Sequence, residues 1–206
     1  MRIAPFGERA ILVTFADAIE PRANALAHAL ADAWEARGIG PAVPAYASTL
    51  LHYDPLAHPR REVLRLASTL ALAPASRAPA GRRVEIPVRY DGLDLEEVAN
   101  LSRLSVADIV ALHSGREYLA YFVGFMPGFA YLGELDARIV APRLAEPRPR
   151  VPAGSVGVAG RQTGVYPFAS PGGWRLLGTT HAVLFDARRD PPSFVLPGDR
   201  VRFVTR

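Results

Sequence analysis

Residues 150–174 read RVPAGSVGVAGRQTGVYPFASPGGW, with six glycines and three prolines in 25 positions. Three readings compete: a phosphate cradle, a run of β-turns, or a surface shaped for a partner. A cradle needs a strand before its glycines and a helix after them, often with a lysine. Here GVAGRQTG (157–164) is followed by Tyr166-Pro167 and then Ser170-Pro171-Gly172-Gly173, which rules against a helix. The glycines therefore read as turn positions, or as places where the backbone lets another group come close. The same pattern runs through the C-terminal part. GSVGVAG, WRLLG, AVLFD and RVRFV are short apolar runs between Gly/Pro turns, and PGDR (197–200) feeds the last of them. Such spacing predicts a barrel or sandwich with no helix after residue 126.

Upstream, VEIPVRY (84–90) reads as a strand and EYLAYFVGF (117–125) as a β-rich run. Between them lie two short helices. DLEEVANLS (94–102) has Asp94 as its cap and acids in the first turn. SVADIVALHS (105–114) is capped by Ser105, with Asp108 where a capping box carries Glu or Gln. The first 75 residues differ in character. ILVTF (11–15) and VPAYASTLLHYDP (43–55) read as strands. EPRANALAHALADAWEARG (20–38) and HPRREVLRLASTLAL (58–72) read as helices, with Leu26, Leu30 and Trp34 on one face of the first. APASRAPAGRR (73–83) reads as a linker. The predicted architecture is an α+β N-terminal domain, residues 1–80, followed by a mainly-β domain, residues 81–206.

Composition removes several chemistries. There is no cysteine, so there are no disulfides, thiolate metal sites or cysteine nucleophile. There is no lysine, so a Walker lysine, a Schiff base and a biotinyl-lysine are excluded, and an anion must be held by Arg or backbone N–H groups. Residues 141–206 carry ten arginines against four acids, which suits an anionic substrate, an acidic protein partner or simply a solvated surface. The arginines are scattered and no reader motif accompanies them, which argues against nucleic acid. No run is long and apolar enough to span a bilayer and the start lacks a signal-peptide layout, so a cytoplasmic protein is expected. The five histidines show no ligand spacing, so no metal site is expected.

Within the glycine frame, Gln162, Thr163 and Tyr166 either grip a carboxylate or amide, or satisfy backbone groups of a loop-rich barrel. GFMPGFAYLG (124–133) sets Phe125, Met126, Phe129 and Tyr131 around the turn residues Pro127 and Gly128; so many rings either fill a core or dock a partner. His113, at the end of a helix, is a candidate base or a partner of the helix dipole. Neither Ser155 nor Ser170 makes a nucleophile elbow.

GFMPGFAYLG, then PRPRVPAGSVGVAGRQTGVYPFASPGGWRLLG, then PGDRVRF, in that order, resemble the B-subunit family of bacterial 5-oxoprolinase. That family is also known as allophanate hydrolase subunit 1 and includes the sporulation-kinase inhibitor KipI. The resemblance implies that the second domain is a cyclophilin-like barrel. It further implies a non-autonomous component, inactive alone, of a hetero-oligomer. With partners of the C-subunit and A-subunit types it would hydrolyse 5-oxoproline, a lactam, to glutamate. ATP is consumed by the complex without a clear site on this chain. Alternatives within the resemblance are inhibition of a histidine kinase, and a carboxyltransferase-like role in urea metabolism. Carried onto this chain, it marks Arg150, Ser155, Arg161, Gln162, Thr163 and Tyr166 as candidate substrate-binding residues, with His113, Gln162 and Tyr166 as the catalytic candidates. It marks Phe125, Pro127, Phe129, Tyr131, Pro171, Gly172, Gly173 and Trp174 as partner interface or pocket wall. The family shows a second glycine where Arg161 stands; if the position lines a pocket, Arg161 narrows it and adds charge.

Overall fold

The computed structural model describes residues 1–73 and 81–206. The centre of the linker read at 73–83, and the boundary drawn at 80, lie outside the described residues. The chain forms two compact units, Met1–Pro79 and Ala80–Arg206. Together they are a mixed α/β structure with four helices and a nearly closed seven-stranded sheet among the described residues.

In the first unit β1 (Arg2–Phe6), β2 (Ala10–Thr14), β3 (Ala42–Pro44) and β4 (Ser48–His52) form an antiparallel sheet in the order β1-β2-β4-β3. Ile11, Val13, Thr49 and Leu51 share one buried face, as period-two alternation requires. Helices α1 (Pro21–Glu35) and α2 (Arg60–Ala71) cover it, burying Leu30, Trp34, Val63 and Ala67. The Thr49 hydroxyl donates to the Ala27 carbonyl of α1 at 2.7 Å, and Trp34 Nε1 donates to the His52 carbonyl at 3.0 Å. The strand expected over 43–55 is a hairpin instead. It turns after Pro44, where Ala45 N–H bonds the Ser48 carbonyl at 2.8 Å. Proline lacks the N–H a continuous central strand would need.

The second unit contains β5 (Arg83–Val88), α3 (Leu95–Ser102), α4 (Val106–Ser114), β6 (Glu117–Val123), β7 (Ala130–Gly133), β8 (Arg148–Val151), β9 (Ser155–Ala159), β10 (Gln162–Val165), β11 (Ser170–Gly172), β12 (Arg175–Thr179) and β13 (Arg200–Thr205). The large sheet runs β12-β9-β10-β7-β6-β13-β5, antiparallel except for the parallel β13–β5 pair. The chain leaving β5 then runs beside β12 from the other edge. Arg89 and Thr179 exchange N–H···O bonds of 2.9 and 2.8 Å, and the Gly92 and Asp94 amides reach the Leu177 and Leu176 carbonyls. This seam nearly closes the sheet on itself and covers its edges. Val84, Ile86, Val158, Leu177, Val201 and Phe203 are among the residues packed in its core. Strands β8 and β11 form a separate two-stranded ribbon. AVLFD, expected as a strand, makes only a single bridge between Phe185 and Ser193.

The capping box of α4 is complete although its acid is Asp. Ser105 Oγ accepts from Asp108 N–H at 3.1 Å, and the Asp108 carboxylate accepts from Ser105 N–H at 3.1 Å. Ser105→Ala removes both bonds of the hydroxyl, including the one it donates to the Asp108 carboxylate at 2.6 Å, and leaves only the Ser105 N–H bond to that carboxylate. A loss of about 1 kcal/mol is expected in the urea unfolding free energy.

Candidate functional site

The outer face of β7, β10, β9 and β12 carries an aromatic layer. Phe129 touches Tyr131, Tyr166 and Trp174 edge-on, at ring distances of 4.9, 5.4 and 5.4 Å. Such T-shaped packing is the favoured arrangement of aromatic quadrupoles. Two glycines of the opening stretch make room for it. A Cβ on Gly164 would lie 3.1 Å from the Phe129 ring and 3.0 Å from the Ala130 carbonyl oxygen. One on Gly157 would sit 3.2 Å from Trp174 Cβ and 3.3 Å from Tyr166. These glycines exist for close approach of rings to strands, and their backbone is covered rather than open to a phosphate.

Above this layer lies a cleft of about 240 Å³. Its lining includes Phe125, Phe129, Tyr131, Tyr166, Pro171, Gly172, Gly173 and Trp174, so segments about 40 residues apart in sequence meet here. Pro127 does not line it. With Gly128 at φ +80° it forms the turn that joins β6 to β7, closed by Phe129 N–H bonding the Met126 carbonyl at 3.1 Å. Phe125, next to that turn, has φ 71° and is 61 % exposed at the cleft mouth. A non-glycine residue in that region is uncommon, and rarer still for a bulky one. Burial raises the Tyr131 and Tyr166 phenols above their ordinary range, against the opposing pull of the Arg143 charge.

Of the charged residues around the cleft, the sequence singled out only the acids of the helix start, and not as part of a site. Arg148 pairs with the buried Asp94 carboxylate at 2.6 Å, and Arg175 pairs with Glu97. Asp94 does not cap α3 with its side chain, as the helix-start pattern suggests. Its other oxygen accepts from Leu176 N–H at 2.7 Å, within the barrel seam. Arg143 is exposed and lines the cleft; among the described residues it makes no hydrogen bond or ion pair. The excess of arginine beyond residue 140 was the only signal pointing to it.

The remaining candidates lie elsewhere. Gln162 begins β10, level with Gly133 and Ala159, and Arg161 at the hairpin turn pairs with Glu134 at 2.7 Å; neither lines the cleft. Arg150 is exposed on β8, and Ser155 is buried at the start of β9, its carbonyl accepting from Tyr166 N–H.

His113 and Thr163 meet inside the barrel. His113 is fully buried and stacks on Phe203 with ring centres 4.5 Å apart. Thr163 Oγ1 donates to the Gly157 carbonyl at 3.0 Å, so its 2.9 Å contact with His113 Nε2 is an N–H donated to the hydroxyl. Nδ1 is then bare and accepts from Tyr90 Oη at 2.7 Å. Burial pulls this imidazole down to about 3, so at neutral pH it carries no charge for the helix dipole. With no exposed atom, it reaches no molecule in the cleft. Among the described residues no helix is long and apolar enough to cross a membrane, and no group of three or more His, Cys, Asp or Glu is placed to hold a metal.

The model of the carboxyltransferase domain, subdomain C and D, matches residues 1–195. The chain is 39% identical over 220 residues to the B subunit of 5-oxoprolinase from Bacillus subtilis (strain 168), covering 98% of this chain and 92% of that protein. The crystal structure of TTHA0988 is similar with a TM-score of 0.83 and 46% identity over 96% of this chain, which spans only 40% of that one. The K. lactis urea amidolyase aligns over 99% of this chain and 15% of its own, with a TM-score of 0.82 and 17% identity, a likeness of fold alone.

Proposed function

The chain belongs to the carboxyltransferase domain family, subdomain C and D, together with the proteins named as B subunits of 5-oxoprolinase, and on that premise we propose that it is the B subunit of an ATP-dependent 5-oxoprolinase. The likeness over nearly the whole length of the Bacillus subtilis relative carries this reading. In it, the two compact units are an α+β domain, 1–80, and a cyclophilin-like barrel, 81–206, and the chain works with partners of the C-subunit and A-subunit types.

The cleft then serves to bind and orient. Opening a lactam needs activation of the amide, a nucleophilic water and proton transfer to the ring nitrogen. A wall of rings with two phenols excludes bulk water and presents hydrogen-bonding groups to a small cyclic amide. His113, sealed in the barrel, moves no proton in this scheme, and the base comes from a partner protein. ATP is likewise held on a partner. The chain alone is inactive.

The test is glutamate release from 5-oxoproline and ATP by the cognate proteins, assembled with and without this chain. Release is expected only when it is present. Equal release without it, or none from a folded, complete assembly, overturns the proposal.

A further inference from the structure

We infer that the aromatic cleft takes a small planar ring acid, whose carboxylate is held by Arg143 and whose flat face is covered by Phe125. The inference rests on the 5-oxoprolinase reading and deepens it by assigning two binding residues that the sequence motifs do not mark as such.

Charge singles out Arg143. Arginines crowd this side of the barrel, but Arg148 and Arg175 are neutralised by Asp94 and Glu97. Arg143 is the only charged side chain among the described residues lining the cleft, and it has no partner there. Beside a wall of rings the local dielectric is lower than in water, so a lone guanidinium attracts a carboxylate more strongly than on an open surface. Its planar fork also matches a carboxylate in a two-bond geometry.

The shape of the cleft limits the size of its ligand. The cleft, at about 240 Å³, lies below the usual range of roughly 300–1,000 Å³ for pockets that take drug-sized ligands. It suits a single small ring better than a nucleotide. Phe129, Tyr131, Tyr166 and Trp174 form the base, and their quadrupoles favour a flat ligand.

Phe125 is strained as well as exposed. Phe125 holds a left-handed backbone and exposes most of its ring, yet it keeps that ring edge-on to Phe129 and Tyr166 at 5.5 and 6.5 Å. Folding alone would favour glycine at φ 71° and a polar residue at an exposed site. A ligand in the cleft that lies against the exposed ring of Phe125, beside the aromatic base rather than between the two, accounts for both departures.

The experiment is calorimetric titration of the purified chain with 5-oxoproline, and with 2-pyrrolidone, the same ring without the carboxylate. Saturable binding of 5-oxoproline is expected, with 2-pyrrolidone weaker by about tenfold or more. Arg143→Gln should weaken 5-oxoproline by a similar factor and leave 2-pyrrolidone unchanged. Phe125→Gly should weaken both ligands several-fold without lowering the melting temperature. No saturable binding to the chain overturns the inference, as does equal affinity for the two rings or for wild type and Arg143→Gln. An active assembly whose KM ignores Arg143→Gln overturns the inference and leaves the proposed function standing. Binding through Arg143 by a chain whose assembly releases no glutamate does the reverse.

Discussion

Lowering the pH from 6.5 to 4.5 should cost this protein about 2–3 kcal/mol of folding stability through His113 alone, at about 1.4 kcal/mol for each pH unit. The sign follows from the buried imidazole. Its folded pKa is depressed to about 3 by loss of water, against 6.5 in an exposed chain. Below pH 6.5 the unfolded chain binds a proton that the folded one refuses, so stability is complete above pH 6.5 and falls steadily towards pH 3. Among the described residues, nothing facing the ring from α4, β6, β10, β13 or the segment just after β5 offers a compensating negative charge. Those neighbours are Tyr118, Thr163, Phe203 and Tyr90, and burial pushes both phenols further from ionisation. Asp136 and Asp186 are held below the ordinary carboxylate range by bonds from Arg138 and Arg188, so they titrate beneath this window.

Urea unfolding of the wild type at several pH values, compared with His113→Gln, measures the effect. The variant cannot charge, so its stability should be lower at pH 7.5 but nearly flat from about 6.5 to 4.5. Parallel slopes for the two proteins would refute the assignment. Should the variant not fold, the nitrogen shifts of the wild-type imidazole decide the matter. They should report the Nε2–H tautomer unchanged down to about pH 5.

The histidine also shows where sequence reasoning stops. Local pattern placed His113 correctly at the end of a helix, and from there a charged imidazole facing the dipole was the natural expectation. Its partners decide otherwise, and they lie 23 and 50 residues away on Tyr90 and Thr163. By contrast, the turn chemistry of Met126–Phe129, the helix start at Ser105 and the strand-rich character beyond residue 126 were legible, because each depends on neighbours within four residues. The aromatic strings were recognisable as a set, but not which ring is buried. Phe129 is sealed and Phe125 exposed, although they sit four residues apart in one loop. Core and surface were offered as competing readings, and the loop supplies both.

Asp94→Ala should be the most damaging single change near the cleft, costing about 3–5 kcal/mol. On the scale of a chain this long, that lowers the melting temperature by about 10 °C. Asp94 stands where the barrel seam, α3 and the cleft wall meet. One carboxylate oxygen accepts from Leu176 N–H at 2.7 Å, while its own amide donates to the Leu176 carbonyl at 3.0 Å. The other oxygen binds Arg148 at 2.6 Å, and Arg148 also donates to the Trp174 carbonyl at 3.4 Å. Removing the carboxylate leaves an N–H in the seam and a guanidinium, 25 % exposed, without their acceptor. The penalty is that of orphaned groups, larger than the net worth of the pair. Asp94→Asn, which keeps an acceptor for Leu176 but not the charge, should lose about half as much. Arg148→Ala should also destabilise, yet the double variant should fall well short of the sum, by about 1 kcal/mol or more. Additive losses, or an Asp94→Ala protein within about 1 kcal/mol of wild type, would show that the seam closes without this ion pair. Because Arg148 also bonds the Trp174 backbone, Asp94→Ala should disturb the cleft as well, visible as a red shift of tryptophan emission below the unfolding transition. A loss of stability with unchanged emission would confine Asp94 to the seam.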